Sequence, residues 1–240
     1  MAGGYYVALS GMRTRVDQLD RLADEIANAS TAGFKGERAG HEKAPRPMFA
    51  AALETAIDVS MGERRLDARP GTITSTGRAL DIAVDGDGFI AVETPAGLRF
   101  TRNGHLTRHA DGTLTTADGA VVLGADGPIT IGTGAVRIEE DGTVVSDGTV
   151  AGKISVVEFA DSRQLLRDGG ALLRAAEGAS PAAADSPTIR AGALEQSNVS
   201  VVERVAELTT VSRTFEALQR ALGVLMNDVD GRTIDALGRR

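Results

Sequence analysis

Apolar residues recur at alternating intervals of four and three positions at both ends of the chain. A repeat of about 3.5 residues is typical of a coiled-coil seam. The N-terminal set is Tyr5, Leu9, Met12, Val16, Leu19, Ala23 and Ile26, and the C-terminal set is Val211, Phe215, Leu218, Leu222, Leu225 and Val229. The pattern predicts two long helices, over about residues 4–30 and about residues 200–228, that pair as a coiled-coil-like domain.

Local signals mark two of the predicted helix ends. Ser200 and Glu203 have the spacing of a capping box, in which a hydroxyl and a carboxylate bond the free N–H groups of the first turn. Gly33 follows the first periodic stretch and is a typical stop after a helix. The first helix is therefore predicted to end before Gly33 and the second to begin near Ser200.

Between the two ends, apolar residues alternate with a period of two from about residue 72 to about residue 159. Asp-Gly and Asn-Gly dipeptides interrupt this stretch, and such pairs supply the positive φ angles of tight hairpin turns. They begin at Asp85, Asp87, Asn103, Asp111, Asp118, Asp126, Asp141 and Asp147. Short strands joined by such turns predict an antiparallel meander or a small barrel.

The predicted fold class is therefore α+β, with a coiled-coil-like domain built from the terminal helices and a central antiparallel β domain rich in hairpins. Residues 1–34 and 196–240 are assigned to the helical assembly domain, residues 35–71 to an extended connector, and residues 72–195 to the β domain.

The charge, aromatic content and cysteine content of the chain argue against several classes of function. The net charge is -7 with scattered Lys and Arg, which argues against a nucleic-acid-binding surface because phosphate neutralisation needs clustered cations. Aromatic residues make up 3% of the chain, so a deep small-molecule pocket is less expected than in an average protein. The absence of cysteine excludes disulfides, thiolate metal sites and a cysteine nucleophile.

The chain shows neither a secretory signal nor a membrane span. Residues 1–12 lack a charged region followed by a long apolar run, and no window approaches about 18 consecutive apolar residues. We therefore expect no membrane insertion and no cleaved signal peptide.

Candidate chemistry is sparse. The histidines are His41, His105 and His109, and no carboxylate cluster at metal-ligand spacing accompanies them. We expect no catalytic residue, no metal and no cofactor. The alternative from another class is an enzyme or sugar-binding β domain with helical dimerisation arms, with a polar site around His105, His109 and Asp111.

Motifs at both ends resemble those of the axial proteins of the bacterial flagellum, the rod and hook family. The N-terminal motif comprises Ser10 to Met12 and residues 26–35, and the C-terminal motif comprises residues 192–199 and 213–216. Residues 76–89 and 100–104 are similar to the central β domain of the rod proteins. The short chain and residues 123–129 favour a proximal-rod member, and a distal-rod or hook-type subunit is the alternative within the family.

The chain departs from the family pattern at two places. Asp24 and Glu25 stand where the family usually has an Asn pair, and Leu208 and Thr209 stand where it usually has Met and Ile. The first departure adds charge to the first helix, and the second alters packing on the second helix.

The resemblance implies a non-enzymatic structural subunit of the basal-body rod that polymerises through its terminal helices and helps to transmit torque from motor to hook. Its partners would be other axial subunits, further copies of itself and the flagellar export apparatus. Its location would be the periplasm-spanning rod, reached without a cleaved signal peptide.

The same resemblance implies roles for individual residues. Asn28, Thr31, Gly33 and Phe34 would end the first helix and direct the connector, with Phe34 filling an apolar gap between domains. Glu195, Ser197, Asn198 and Val199 would begin the second helix, and Arg213 with Glu216 would be available for an ion pair. The apolar assembly positions would be Leu9, Met12, Val16, Leu19, Ile26, Phe215, Leu218, Leu222 and Leu225.

Overall fold

The computed structural model describes residues 2–39, 64–184 and 187–237. The chain forms two compact units. The described part of the helical unit consists of residues 2–27 and 200–237, and the β unit consists of Asn28–Ala39 and Arg64–Val199.

The helical unit contains α1, Ala2–Ala27, and α2, Val201–Leu237. Part of the predicted capping box is present, because the Glu203 N–H donates to Ser200 Oγ at 3.4 Å. The end of α1 is followed by a turn in which the Thr31 N–H donates to the Asn28 carbonyl at 3.0 Å. Gly33 then adopts a φ of 68°, which is why a residue without a Cβ stands there.

The prediction of a coiled-coil-like domain is wrong. The described chain has one α-helix at each end, and a seam would have placed Val16 and Ala23 of α1 against the partner helix. Both are exposed, Val16 at 42%, whereas Leu22 and Glu25 are fully buried. A heptad pattern identifies apolar positions but not which face a partner covers, and here the face that α2 covers carries charged residues.

The side chains of Tyr5, Leu9, Leu225 and Val229, which belong to the same prediction, lie outside the described part of the chain. So do the connector residues 40–63 and His41.

The β unit contains nineteen strands within its described residues, with one 3₁₀ turn at Ser162–Gln164. In chain order they are β1 Glu37–Ala39, β2 Arg64–Leu66, β3 Ile73–Ser75, β4 Ile82–Asp85, β5 Phe89–Thr94, β6 Gly97–Thr101, β7 Leu106–Arg108, β8 Leu114–Thr116, β9 Val121–Gly124, β10 Gly127–Pro128, β11 Val136–Ile138, β12 Thr143–Ser146, β13 Thr149–Lys153, β14 Val156–Glu158, β15 Leu165–Arg167, β16 Leu172–Ala175, β17 Ala182–Ala183, β18 Thr188–Ala191 and β19 Ala193–Glu195.

Every strand pairing in this unit is antiparallel. The largest sheet has the order β15-β16-β6-β5-β9-β8-β7, and β10, β14 and β17 attach to its side. A second sheet has the order β11-β12-β13, and the remaining strands form the pairs β1 with β2, β4 with β18, and β3 with β19.

Strand β5 separates two apolar cores. Ile90 and Val92 on one face join the larger cluster with Leu106 and Leu114. Phe89 and Ala91 on the other face join a smaller cluster that contains Phe100. Successive strand residues point to opposite faces, so a strand buried on both faces is apolar at every position. This explains the continuous apolar run at residues 89–92.

Six of the eight predicted Asp-Gly and Asn-Gly dipeptides have a glycine with positive φ, whereas Gly88 and Gly104 do not. Asp147 and Gly148 join β12 to β13 with φ angles of 52° and 79°, the positive pair that a type I′ turn requires. Asp111 and Gly112 lie in the connection from β7 to β8, where Asp111 Oδ1 accepts the Thr113 N–H at 2.8 Å.

The Asp111 turn should weaken in acid. The hydrogen bonds from the Thr113 N–H and side chain, with a smaller contribution from His109, lower the pKa of Asp111 from 3.8 to about 2. Because the folded state favours the carboxylate, its contribution is present above pH 3.8 and is lost as pH falls through about 2. An NMR titration should show the Thr113 amide shift changing with a midpoint near pH 2.

Asp111→Asn is the matched control, because the amide oxygen still accepts the hydrogen bond but does not titrate. A Thr113 shift that follows an ordinary aspartate midpoint in the wild-type chain would contradict this assignment.

Candidate assembly site

Charged side chains join the two helices. Glu25 Oε1 accepts from Arg21 Nη1 at 3.0 Å, and Glu25 Oε2 lies 3.0 Å from Arg204 Nε on the other helix. Glu207 is 2.6 Å from Arg204 Nη1 and 3.4 Å from Arg21 Nη2. Gln18 Nε2 completes the group at 3.5 Å from Glu207 Oε1. We call these five residues the helix clasp.

The helix clasp sets the register of α1 against α2. Glu25 is fully buried, so its charge must be matched by the guanidinium groups beside it. A shift of either helix by one turn would move Arg204 about 5.4 Å from this carboxylate. The clasp therefore favours one alignment in a way that interchangeable apolar layers do not.

Replacing Arg204 should loosen the helix pair. Arg204→Met keeps an apolar stem but removes one of the partners of the buried Glu25, a change that costs about 1–3 kcal/mol. We expect faster amide hydrogen exchange in residues 18–25 of α1, measured by mass spectrometry on the full chain.

Arg213→Met provides the matched control on the same helix, because Arg213 is exposed and forms no ion pair among the described residues. Equal acceleration of exchange in the two variants would show that the helix clasp does not hold the helices together.

The predicted apolar positions are divided between covered and open faces. In α2, Val211 is buried, and Phe215, Leu218 and Leu222 are half-buried. In α1, Met12, Leu19 and Ile26 are half-buried, but Val16 is exposed. Arg213 and Glu216 are both exposed and form no ion pair with each other. The predicted positions on α2 are therefore covered at least in part, whereas those on α1 include the exposed Val16 and Ala23.

A second charged group lies inside the β unit. Lys35 Nζ donates to Glu195 Oε1 at 2.5 Å, and Arg102 Nη1 donates to Glu195 Oε2 at 3.3 Å. The three side chains are each 1% exposed. We call Lys35, Arg102 and Glu195 the buried triad.

Backbone groups form further hydrogen bonds with the buried triad. Lys35 Nζ also donates to the Arg69 carbonyl at 2.7 Å. Arg102 donates to the carbonyls of Val84 at 3.1 Å and Gly86 at 2.5 Å. Glu195 Oε1 accepts the Gly71 N–H at 2.7 Å. The triad thereby ties together segments that are far apart in the chain.

Burial dominates the electrostatics of the buried triad. It lowers the pKa of Lys35 below its usual value of 10.5, and the hydrogen bond and charge of Glu195 oppose this only in part. It also lowers the pKa of Arg102, again against the charge of Glu195. Lys35 and Arg102 share the Glu195 carboxylate, so both buried cations depend on Glu195 for their counter-charge.

The chain leaving α1 and the chain approaching α2 lie side by side next to the buried triad. The Gly33 N–H donates to the Glu195 carbonyl at 2.7 Å, and the Asn198 N–H donates to the Phe34 carbonyl at 3.3 Å. Asn198 Oδ1 accepts the Gly36 N–H at 2.9 Å, and Asn198 Nδ2 donates to the Asp67 carbonyl at 2.7 Å.

This arrangement differs from the expected helix start. Glu195 ends β19, and α2 begins only at Val201. Ser197 Oγ accepts the Val199 N–H at 3.1 Å, so its hydroxyl shapes the turn before the helix. Side chains assigned to a helix cap instead join the strands, because their partners are supplied by residues 33–36 and 67–71.

Phe34 occupies an apolar position within the β unit. Its side chain is fully buried, and the Arg167 guanidinium lies 4.4 Å from the centre of its ring. Gly33 beside it admits no side chain, because a Cβ there would lie 2.1 Å from the Arg102 carbonyl carbon. Asn28 and Thr31 are linked by a 3.2 Å side-chain hydrogen bond in the turn that leads to this pair.

Sequence reasoning missed Lys35 and Arg102 as site residues. Both lie inside the quoted motifs, directly after Phe34 and in the Phe100 to Gly104 segment. The available signal was a cation next to an apolar or turn residue. Nothing in the pattern identified Glu195 as the shared partner, because it lies 160 residues from Lys35 and 93 residues from Arg102.

The histidines of the alternative prediction each lie beside one aspartate. His105 Nδ1 lies 3.0 Å from Asp81 Oδ1, and His109 Nδ1 lies 3.1 Å from Asp111 Oδ1. Among the described residues, no three His, Asp or Glu side chains are grouped to hold a metal ion. Neither of the two described helices is apolar over a length that could cross a membrane.

The chain is similar to known flagellar proteins over its whole length. The profile of the flagellar hook protein FlgE/F/G D1 domain matches residues 83–151, and that of the flagellar basal body rod FlgEFG protein C-terminal region matches residues 190–224. The flagellar basal-body rod protein FlgF of Rhizobium meliloti is 32% identical over 99% of this chain and 99% of its own.

Two further relatives have comparable similarity. FlgF of Salmonella typhimurium is 31% identical over 95% of each chain. FlgG of Bacillus subtilis, also a basal-body rod protein, is 31% identical over 90% of this chain and 92% of its own.

Proposed function

Because this chain belongs to the flagellar basal-body rod protein family, we propose that it is a structural rod subunit that polymerises through its terminal helices. The observation that carries this function is the similarity to FlgF over 99% of both chains. The family is structural, so the enzyme or sugar-binding alternative is set aside. The same similarity supports a FlgF-like subunit, which we place in the proximal rod.

In this proposal the chain helps to transmit torque from motor to hook. A subunit that carries torque must keep its shape under load. The buried triad supports this role, because it ties Lys35, Arg102 and Glu195 together with buried hydrogen bonds between charged groups inside the β unit. The helix clasp supports it by fixing the register of α1 against α2.

We propose that the helical and β parts of the chain have separate roles in the rod. Residues 1–27 and 200–240 belong to the assembly domain, and residues 28–39 and 64–199 form the β domain, which includes the described ends of the predicted connector 35–71. The partners are other axial subunits and further copies of this chain.

The test is to delete the gene in the bacterium that encodes this chain and to complement it with an epitope-tagged copy. We expect loss of swimming on deletion, recovery on complementation, and the tagged chain in purified hook–basal bodies by mass spectrometry. Chemical cross-linking in those particles would identify the neighbouring axial proteins and separate a proximal from a distal or hook position. Normal swimming after deletion, or basal bodies that lack the chain, would overturn the proposal.

We also propose that the flagellar export apparatus delivers the chain to the rod with no cleaved signal peptide. N-terminal sequencing of the chain recovered from basal bodies should then begin at Met1 or Ala2. A periplasmic protein with a known cleaved signal, taken from the same cells, is the control. A chain shortened at its N-terminus by signal peptidase would contradict this route.

A further inference from the structure

Arginine side chains from separate segments of the β unit gather at the pair of strands β1 and β2. Arg38 on β1 lies directly opposite Arg65 on β2, and direct cross-strand partners share one face of a sheet. Leu66, next to Arg65, is buried in the smaller apolar core, so the two arginines lie on the face away from that core. Arg69 follows β2, and Arg163 belongs to the 3₁₀ turn that lies against β2. We call Arg38, Arg65, Arg69 and Arg163 the arginine face.

Asp67 is shared by two arginines of this face. Its Oδ2 lies 2.8 Å from Arg38 Nε and 2.7 Å from Arg69 Nη2, and its Oδ1 accepts from Arg69 Nε at 2.9 Å. The Asp67 side chain is 9% exposed, whereas those of Arg38 and Arg69 are 51% and 66% exposed. The carboxylate therefore lies beneath two guanidinium groups that reach the solvent.

Asp161 lies beside the other two arginines. Its Oδ2 is 2.9 Å from Arg163 Nε. The Arg163 N–H lowers the pKa of Asp161 below 3.8, with smaller contributions from the charges of Arg163 and Arg65. Glu37 of β1 is paired with Leu66 and so lies on the other face of the strands. The arginine face therefore combines four cations with two carboxylates, an excess of positive charge in a chain whose net charge is -7.

The position of Arg38 opposite Arg65 is unfavourable for the protein by itself. Like charges that lie directly opposite each other destabilise a pair of strands. The two aspartates offset this repulsion only in part, because each carboxylate neutralises one of the two arginines beside it. An anion bound from outside would reduce the remaining repulsion. The arrangement therefore indicates an anionic partner.

The surroundings of the arginine face favour a hydrated polymer over a protein or a membrane. Protein interfaces have an apolar centre, and helices that bind a membrane surface insert apolar side chains. Among the side chains that the structure describes, the exposed large hydrophobic residues of the β unit are Leu98 and Val150. They belong to β6 and β13, away from β1, β2 and the 3₁₀ turn. Guanidinium groups need no apolar contact, because they bind carboxylates through paired hydrogen bonds and charge.

The small excess of charge favours a polymer whose anionic groups are widely spaced. Dense phosphate polymers such as nucleic acids are bound by many cations at once. Carboxylates spaced along an uncharged chain need only a few guanidinium groups. A rod that spans the periplasm crosses the peptidoglycan layer, in which peptide stems with free carboxylates are attached to uncharged sugar strands.

We propose that the arginine face binds the carboxylates of peptidoglycan peptide stems. This inference rests on the proposed rod function, which places the chain in the layer that contains this polymer, and it names a partner outside the rod. Arg69 and Arg163 make the contacts through their exposed guanidinium groups, while Asp67 and Asp161 hold those groups in place. The contacts are exposed, so binding should weaken as salt screens the charges.

The test compares two full-length double variants that lose the same charge. Arg69→Gln combined with Arg163→Gln removes the excess but leaves one arginine beside each aspartate. Arg137→Gln combined with Arg190→Gln is the matched control, because these arginines are also exposed and each is paired with one carboxylate elsewhere in the β unit. All four side chains are at least half exposed, so circular dichroism of both variants should match that of the wild-type chain.

Co-sedimentation with purified peptidoglycan sacculi over a series of protein concentrations is the measurement. The wild-type chain and the control should bind with the same affinity, and Arg69→Gln with Arg163→Gln should bind at least tenfold more weakly. Raising the salt concentration from about 0.05 M to about 0.5 M should release the wild-type chain. Sacculi whose carboxylates have been converted to neutral amides should not bind it.

Other results would overturn the inference. These are a wild-type chain that does not bind sacculi, equal losses in the two double variants, or undiminished binding to amidated sacculi. Tighter binding to polyphosphate or to vesicles of anionic phospholipid than to sacculi would assign the arginine face to phosphate and reject peptidoglycan. A cross-link from position 69 to residues 40–63 of the same chain, unchanged by sacculi, would show that this segment covers the face. A chain that is found in basal bodies but does not bind sacculi would retain the rod function and lose only this partner.

Discussion

Glu195→Gln should lower the free energy of unfolding of the β unit by about 3–5 kcal/mol, because it leaves two buried cations without their shared counter-charge. Lys35 and Arg102 both bond this carboxylate, and all three side chains are 1% exposed. The glutamine keeps the size of the side chain, so the loss reports charge and hydrogen bonding with little change of packing. Hydrogen exchange of the β5 and β6 core amides on the full chain measures it.

Lys35→Met is the matched comparison within the buried triad. It removes one of two cations and leaves Arg102 and Glu195 as a balanced pair, with Glu195 still accepting the Gly71 N–H. Burial already lowers the pKa of Lys35, so the protein bears a cost for keeping this ammonium charged. We expect a loss of about 1–3 kcal/mol, smaller than that of Glu195→Gln. Equal losses in the two variants would show that Glu195 is not the common anchor.

Gly33→Ala should destabilise the β unit by at least about 3 kcal/mol, since it combines backbone strain with overlap in a packed interior. The φ of 68° is unfavourable for any residue with a Cβ. The new Cβ would also lie 2.1 Å from the Arg102 carbonyl carbon and 2.2 Å from the Asn103 nitrogen. Arg102 has little freedom to move away because its side chain is held in the buried triad.

Gly77→Ala separates the two causes. Gly77 has a similar φ of 72°, but a Cβ there would meet no atom within 4 Å. We expect a loss of about 1–2 kcal/mol from backbone strain alone. Urea unfolding followed by hydrogen exchange of the same core amides measures both variants. If Gly33→Ala cost no more than Gly77→Ala, the close approach of Gly33 to Arg102 would have no energetic consequence.

The hairpins illustrate what local chemistry can predict. Asp147 and Gly148 form the tight turn that their dipeptide indicates, because the positive φ angles are a property of these two residues and need no distant partner. The family was likewise predictable from the motifs at residues 26–35 and 192–199. Such signals are read from neighbouring residues in the chain.

The helix pair illustrates where pattern reading fails. The heptad repeat placed Val16 and Ala23 at a seam, yet α2 contacts the side of α1 that carries Leu22 and Glu25. A charged residue in a helix is ordinarily exposed, so Glu25 gave no signal of burial. Its burial is possible only because Arg204 reaches it from the other helix, 3.0 Å away.

The sequence by itself determined the family, most of the turn positions and the apolar character of both terminal helices, because these depend on short-range spacing and residue type. Only the tertiary structure decided that Lys35, Arg102 and Glu195 meet, that Asn198 joins strands instead of beginning a helix, and which faces of α1 and α2 stay open. Those features depend on groups up to 160 residues apart. The free-energy cost of burying a charge is offset only when the fold places an oppositely charged side chain beside it. That side chain is distant in sequence, so no local pattern predicts which charges are buried.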